Sequence, residues 1–274
     1  MAQRIDWIDR ARGYGLFLVI AGHLGIPFIG KYLIAFHMPL FFLLSGLVFS
    51  IGKDGFYSFV IKKAKRLIVP WAFLSIPIFA ASVISRINGG VKDIWEYVNL
   101  IPKFIFHIRT SPLWFLTALF FIYIIFYWIV KLFKNNYLLC GIVSCAAGIV
   151  AVIYYKLGGM SLVWNIDVSI AALPFFYLGY LMRSFYDKVE CCKLLNSFWM
   201  FAVSAVSYIG TVTLNIYLSG QVLDFATNEY GIYPLSFLSA IFGIYCTYYI
   251  SLELKIKLMS YFGRNTWVYF AWHQ

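Results

Sequence analysis

Long apolar runs separated by short polar breaks fill the chain from Tyr14 to its last residue. A helix needs roughly 20 apolar residues to cross the hydrocarbon core of a bilayer. On that rule the pattern predicts spans over 14–31, 33–51, 67–85, 112–130, 137–155, 161–182, 196–218 and 231–251, with a ninth run from about 266 to the end. The first two are joined so closely, around Gly30–Tyr32, that they are expected to form an antiparallel hairpin. The predicted fold is therefore all-α: a polytopic transmembrane helix bundle of eight full spans plus an incomplete ninth, in one domain over residues 1–274. The ninth run, Thr266–Gln274, reaches about 14 Å as a helix against a core of about 30 Å, so the chain reads as C-terminally truncated. Between Lys92 and Arg109 the pattern changes. Ile94, Val98, Ile101, Ile105 and Ile108 recur at steps of four and three, which places them on one helix face, with Trp95 and Tyr97 suited to the headgroup level. An interfacial helix on the outer leaflet and a lid over a substrate site are both open readings.

Composition removes the soluble alternative. The chain is 62% hydrophobic and 12% charged with a mean hydropathy of +0.82, where soluble domains carry about 45–50% apolar and about 25% charged residues. The net charge of +11 would suggest nucleic acid in a soluble protein; in a membrane protein it reports topology, and no nucleic-acid partner is expected. Of the 22 lysines and arginines, 16 fall on the side of the N-terminus and 6 on the other. Basic residues favour cytoplasmic loops, so the N-terminus is expected in the cytoplasm of a multi-pass protein of the cell (inner) membrane. Lys31, Lys156 and the loop with Asp224 and Glu229 then face outward. The five cysteines lack metal-ligand spacing, adjacent Cys191 and Cys192 cannot easily bridge each other, and no metal is expected.

Ionisable groups inside a bilayer are costly, which makes each one a candidate for chemistry. His23 falls about ten residues into the first predicted span, about 15 Å deep, close to the midplane. Asp9-Arg10-Ala11-Arg12-Gly13 sets opposite charges at the cytoplasmic mouth of the same helix. His37, in Phe36-His37-Met38-Pro39, lies only a turn or so into the second predicted span. The pair Ser45-Gly46 suits close helix packing. The run Lys62-Lys63-Ala64-Lys65-Arg66 reads equally as a topology signal or as a holder of phosphates from a soluble anionic cofactor.

Several of these pieces occur together in a specific order. Asp9-x-x-Arg12-Gly13, His23, Phe36-His37-Met38-Pro39-Leu40-Phe41-Phe42 and Ser45-Gly46-x-x-Phe49 resemble the opening of the acyltransferase family 3 membrane O-acyltransferases, of the fucose 4-O-acetylase-like group. Further matching pieces are Arg66-Leu-Ile-Val-Pro70, Leu113-Trp114-Phe115-Leu116, Leu173 to Tyr180, and Gly263-Arg264-Asn265-Thr266 leading to His273.

The resemblance implies transfer of an acyl group, usually acetyl, from cytoplasmic acetyl-CoA to a sugar hydroxyl in an exported glycan or its lipid-linked precursor. It implies catalytic roles for His23, Arg12 and Asp9, acetyl-CoA binding by Arg12, Lys63 and Arg66, and acceptor binding by His37 and Trp114. The family often shows two arginines three apart before the third span; here Lys63 stands at the first place, without the bidentate fork of arginine. A neutral His23 would accept the acceptor's hydroxyl proton, with an acetyl-His intermediate as the open alternative. A different class of function is a transporter or flippase of a glycan-related solute, with His23 in a proton path.

Overall fold

The structure, a computed structural model, describes residues 5–24, 27–53, 55–91, 93–106, 113–185 and 195–266. Among these residues the regular elements are all helices, joined by short irregular connections, with one isolated bridge between Asp224 and Glu229. Among the described residues six helices are long and apolar enough to cross a membrane, or seven if the broken pair described below counts as one span. The protein is an all-α polytopic helix bundle. It divides into two compact units, residues 1–48 with 175–274, and residues 49–174.

The first unit opens with α1 (Asp6–Gly22) and α2 (Pro27–Leu47). The turn between them precedes Pro27, not Gly30–Tyr32. Proline is favoured at the first helical position because its missing N–H would be unsatisfied there anyway, whereas Gly30, Lys31 and Tyr32 continue the helix. The unit continues with α9 (Leu173–Ser184), α10 (Phe198–Ser219), α11 (Tyr233–Glu253) and α12 (Lys257–Arg264). Two glycine pairs let backbones touch. A Cβ on Gly46 would lie 1.9 Å from the Phe176 carbonyl oxygen, and one on Gly179 would lie 1.9 Å from that of Leu43, so α2 and α9 meet with no side chain between them. The Ser45-Gly46 reading as a packing pair is met. A Cβ on Gly13 would sit 2.1 Å from the Met259 carbonyl oxygen, and one on Gly263 1.7 Å from that of Asp9. Both ends of the sequence pattern thus lie against each other, α1 on α12.

The connection from α10 to α11 turns inward. Val222, Leu223 and Phe225 are buried, and the Phe225 ring packs edge-on against Phe42 of α2 and Phe175 of α9, with centroids 5.6 and 6.2 Å away. Irregular backbone inside a membrane protein must find its hydrogen bonds within the protein. Asn215 supplies them: its Oδ1 accepts the Ile232 N–H at 2.9 Å, and its Nδ2 donates to Ser236 Oγ at 2.7 Å.

The second unit contains α3 (Gly55–Asn88), the short α4 (Ile94–Val98) and α5 (Leu100–Ile105), α6 (Trp114–Leu132), α7 (Tyr137–Lys156) and α8 (Ile166–Ala171). At 34 residues α3 is about 51 Å long, more than a hydrocarbon core, which allows its basic first turns to stand in water. The single helix expected over 92–109 is two helices, because the ring of Pro102 would clash with the Val98 carbonyl four residues back. Ile94, Trp95, Val98, Ile101 and Ile105 are exposed; Ile108 lies outside the described residues. The span expected over 161–182 is also broken, into a 3-10 turn at Val163–Asn165, α8 and α9. Trp164 and Asn165 both stand at φ 57°, a left-handed conformation costing about 1–3 kcal/mol for a residue with a side chain. The incomplete ninth run, Cys191 and Cys192 fall outside the described residues, Thr266 excepted.

Candidate active site

Both histidines belong to the α1–α2 hairpin, at depths that exchange the expected order. His23 caps the end of α1 and is exposed, where a mid-span position was expected. His37 is ten residues into α2, about 15 Å from its start, and only 4% exposed, where a place near the helix end was expected. The shift of the turn to residues before Pro27 moves both.

Gly15 packs against Leu40 and Phe41, and Gly22 against Leu33 and Ile34. That register puts His23 level with Tyr32–Leu33 and His37 level with Leu18–Val19, about 7 Å further along the hairpin, a little more than one helical turn. His23 Nδ1 lies 2.8 Å from the Val19 carbonyl oxygen, and His37 Nδ1 lies 2.8 Å from that of Leu33. A carbonyl only accepts, so in each ring Nδ1 carries a proton, and Nε2 is the nitrogen that acts as base whenever the ring is neutral. Two imidazoles of the same tautomer stand about one turn apart. Pro39 cannot donate to the Ala35 carbonyl, which loosens the turn of α2 beside His37.

The charged end of α1 is fixed by the other end of the unit. Asp9 is 7% exposed and its Oδ1 lies 3.8 Å from Arg12 Nη1; the Arg12 side chain keeps 28% of its surface open. Arg10 Nε donates to the Ser251 carbonyl at 2.6 Å and the Tyr14 hydroxyl to that of Leu254 at 3.0 Å. These are carbonyls at the C-terminal end of α11, which no further helical turn can satisfy. Eleven residues separate Arg12 from His23, about 16 Å along α1. Arg12 and His23 can serve one ligand only if that ligand is elongated.

In the second unit the basic run lies on α3. Lys63 Nζ sits 3.4 Å from the Tyr123 ring centroid and 5.4 Å from that of Phe59, a cation–π arrangement that turns it toward α6. Lys62, Lys65 and Arg66 are exposed. Pro70 leaves the Arg66 carbonyl without its helical donor. Trp114, the first residue of α6, is buried, and its carbonyl accepts the Thr117 hydroxyl at 2.9 Å.

A polar group that the sequence reading passed over continues from there. Asn165, fully buried, donates to Thr117 Oγ1 at 2.8 Å, and Ser169 Oγ lies 2.9 Å from the Ala118 and Asn165 carbonyl oxygens. Asp167, 2% exposed, accepts the Tyr155 hydroxyl. The signal was available: Asn165 and Asp167 are polar residues inside an apolar run, which is the criterion that singled out His23. Among the described residues no three His, Cys, Asp or Glu side chains gather to hold a metal.

Comparison with known families agrees with this arrangement of motifs. The family model described as an acyltransferase domain, Acyl_transf_3, matches residues 5–274, and the chain belongs to that family, acyltransferase family 3. It is a multi-pass membrane enzyme that transfers acyl groups to oxygen. No curated protein and no solved structure is matched.

Proposed function

We propose that the protein transfers an acetyl group from cytoplasmic acetyl-CoA to a sugar hydroxyl of an exported glycan or lipid-linked precursor, at the cell's inner membrane. The observation that carries this reading is the α1–α2 hairpin, with a cationic end at Arg12 and a basic imidazole nitrogen at His23 about 16 Å away. Acetyl-CoA is an elongated donor with phosphates at one end and the thioester at the other, which suits that separation. Arg12, partly open to solvent, and Arg66, exposed, fit phosphate oxygens, while the Lys63 ammonium already rests on Tyr123. The resemblance to the fucose 4-O-acetylase-like group supports a sugar acceptor, and the excess of basic residues on the N-terminal side supports cytoplasmic donor entry.

His23 Nε2 takes the acceptor's hydroxyl proton as that oxygen forms its bond to the thioester carbonyl carbon. His23 then returns the proton to the departing thiolate as the carbon–sulfur bond breaks, so no net proton is consumed. Nδ1–H, held on the Val19 carbonyl, keeps the ring in the tautomer this needs. Asp9 positions Arg12 through their ion pair. His37, buried and in the same tautomer, positions the acceptor, with Trp114 as a second acceptor contact. Family membership weighs for acyl transfer over a carrier with His23 in a proton path.

The test is incubation of membranes containing the protein with radiolabelled acetyl-CoA and candidate glycans. Label should pass to glycan with the native chain and not with His23→Ala. Equal transfer by that variant would remove His23 from the mechanism, and absence of transfer to every hydroxylated acceptor would overturn the sugar reading.

A further inference from the structure

The outward face of α12 has no part in anything described above. Its inward face is fixed: Gly263 lies on the Asp9 backbone and Gly13 of α1 on the Met259 backbone, both too closely to admit a side chain. At about 100° per residue, Lys257, Leu258, Tyr261 and Arg264 fall on the side away from those contacts. All four are exposed, Leu258 at 55% and Tyr261 at 50%. The link from α11 carries the same mixture. Leu254 and Ile256 are exposed at 51% and 44%, with exposed Lys255 between them. The link is tied down, since the Leu254 carbonyl accepts the Tyr14 hydroxyl of α1.

Apolar and cationic side chains in such close alternation suit neither bulk phase. Water leaves four large apolar groups hydrated, and hydrocarbon excludes three cations. Eight residues reach only about 12 Å, so α12 does not cross a bilayer. The boundary between headgroups and acyl chains accepts both parts: the apolar groups enter the acyl edge, and the Lys and Arg stems carry their charges out among the headgroups. The neighbours of α12 agree with that depth. It packs on the first turns of α1 and directly follows the last turn of α11, a helix long enough to cross the membrane.

The charges select the headgroup. Among the described residues, none of Lys255, Lys257 and Arg264 is in an ion pair. Glu253, also exposed, is the one acidic residue from 253 to 264, so three cations against one carboxylate leave a net charge of +2. The adjoining end of α1 brings Asp6 and Asp9 together with Arg10 and Arg12, which cancel and leave that excess in place. A zwitterionic lipid offers no net charge against it. An acidic phospholipid does, and each basic residue at an acidic membrane surface strengthens association about fivefold.

We propose that the outward face of α12, with Lys255, Lys257 and Arg264, is a binding surface for the headgroups of acidic phospholipids in the surrounding bilayer. The inference does not depend on the acyl-transfer reading, although it bears on it. Gly263 holds the Asp9 backbone and Asp9 pairs with Arg12, so lipid that seats α12 also seats the charged end of α1.

Fluorescence quenching in vesicles tests it. The full chain, with its cysteines replaced by serine and bimane attached at Leu258→Cys, is reconstituted in phosphatidylcholine with a small fraction of nitroxide-chain phosphatidylglycerol or, in parallel, nitroxide-chain phosphatidylcholine. At equal mole fraction, the association read from quenching should be at least about fivefold stronger for phosphatidylglycerol. The same label at Val206→Cys, on the exposed middle of α10, should show no preference. The preference at Leu258→Cys should fall towards one in the triple variant Lys255→Gln, Lys257→Gln, Arg264→Gln, and at high salt. It should survive the double variant Lys255→Arg, Lys257→Arg, which keeps every charge. Equal quenching by the two lipids, quenching by neither, an undiminished preference in the glutamine variant or its loss in the arginine variant would overturn the surface. Loss of the preference when coenzyme A is present on both sides of the vesicle would also overturn it, by assigning the cations to a soluble phosphate.

Discussion

Replacing Gly263 by alanine should force α1 away from α12. The added Cβ would lie 1.7 Å from the Asp9 carbonyl oxygen and 2.6 Å from its carbon, where real Cβ contacts stay beyond 3.0 Å. Both obstructing atoms are backbone, so relief requires the helices to part by about 1.3 Å, and no side-chain rotation substitutes for it. Overpacking of this kind costs about 3 kcal/mol, which for a chain of this size lowers the melting midpoint by roughly 5 °C. The displacement falls on Asp9 itself, so the Asp9–Arg12 pair and the Arg10 bond to Ser251 should loosen with it. Gly210→Ala in α10 is the matched control: nothing lies within 4 Å of its Cβ. Alanine there should be neutral or add about 0.5–1 kcal/mol through helix propensity. Thermal unfolding of the two detergent-solubilised variants, followed by tryptophan fluorescence, should give shifts of opposite sign or at least a clear loss only for Gly263→Ala. An unchanged midpoint together with native acyl transfer in Gly263→Ala would refute the reasoning.

Other expectations follow from the same geometry. Arg12→Gln should raise the KM for acetyl-CoA more at low than at high salt, since a partly exposed charge is screened by ions; an unchanged donor KM would remove Arg12 from the donor site. Asn215→Leu should free the inward connection between α10 and α11, costing about 1–3 kcal/mol for the stranded Ile232 N–H, and limited proteolysis should then cut between Gln221 and Ile232. In a chain with its cysteines replaced by serine, Leu157→Cys should react with an impermeant thiol reagent on intact cells, and Lys53→Cys only after permeabilisation; the reverse pattern would invert the orientation read from the basic residues.

Where apolar runs end in unambiguous polar breaks, the pattern located helices closely. The spans expected over 112–130, 137–155, 196–218 and 231–251 are α6, α7, α10 and α11, displaced by no more than two residues. Hydropathy does not place a turn inside a continuous apolar stretch. Residues 24–30 are apolar on both sides of the turn before Pro27, and the conformational preference of that proline outweighs the glycine at position 30. The same blindness hid the break at Trp164–Asn165, because backbone handedness leaves no mark on hydropathy. The candidate residues on α1 and α2 stood out as polar and charged groups in or beside apolar runs, although His23 proves to cap the exposed end of α1 and not to lie mid-span. Their mutual placement did not, since it depends on a register set by Gly15 and Gly22. The role of Lys63 was open in sequence because a lysine beside Tyr123 and one facing water read alike.

The crossing of α1 and α12 has a consequence for biogenesis. α1 leaves the ribosome well before α12, yet Arg10 finds its carbonyl partner 241 residues later, and Gly13 and Gly263 close on the Met259 and Asp9 backbones later still. Throughout synthesis of the intervening helices, the amino-terminal helix lacks the surface that fixes its charges. Such a long loop is slow to close, and domains of high sequence separation fold late. A nascent or prematurely released chain lacking α12 therefore inserts its apolar helices while the Asp9 backbone still lacks the Gly263 surface that packs on it, and this end of α1 is completed only once α12 has been made.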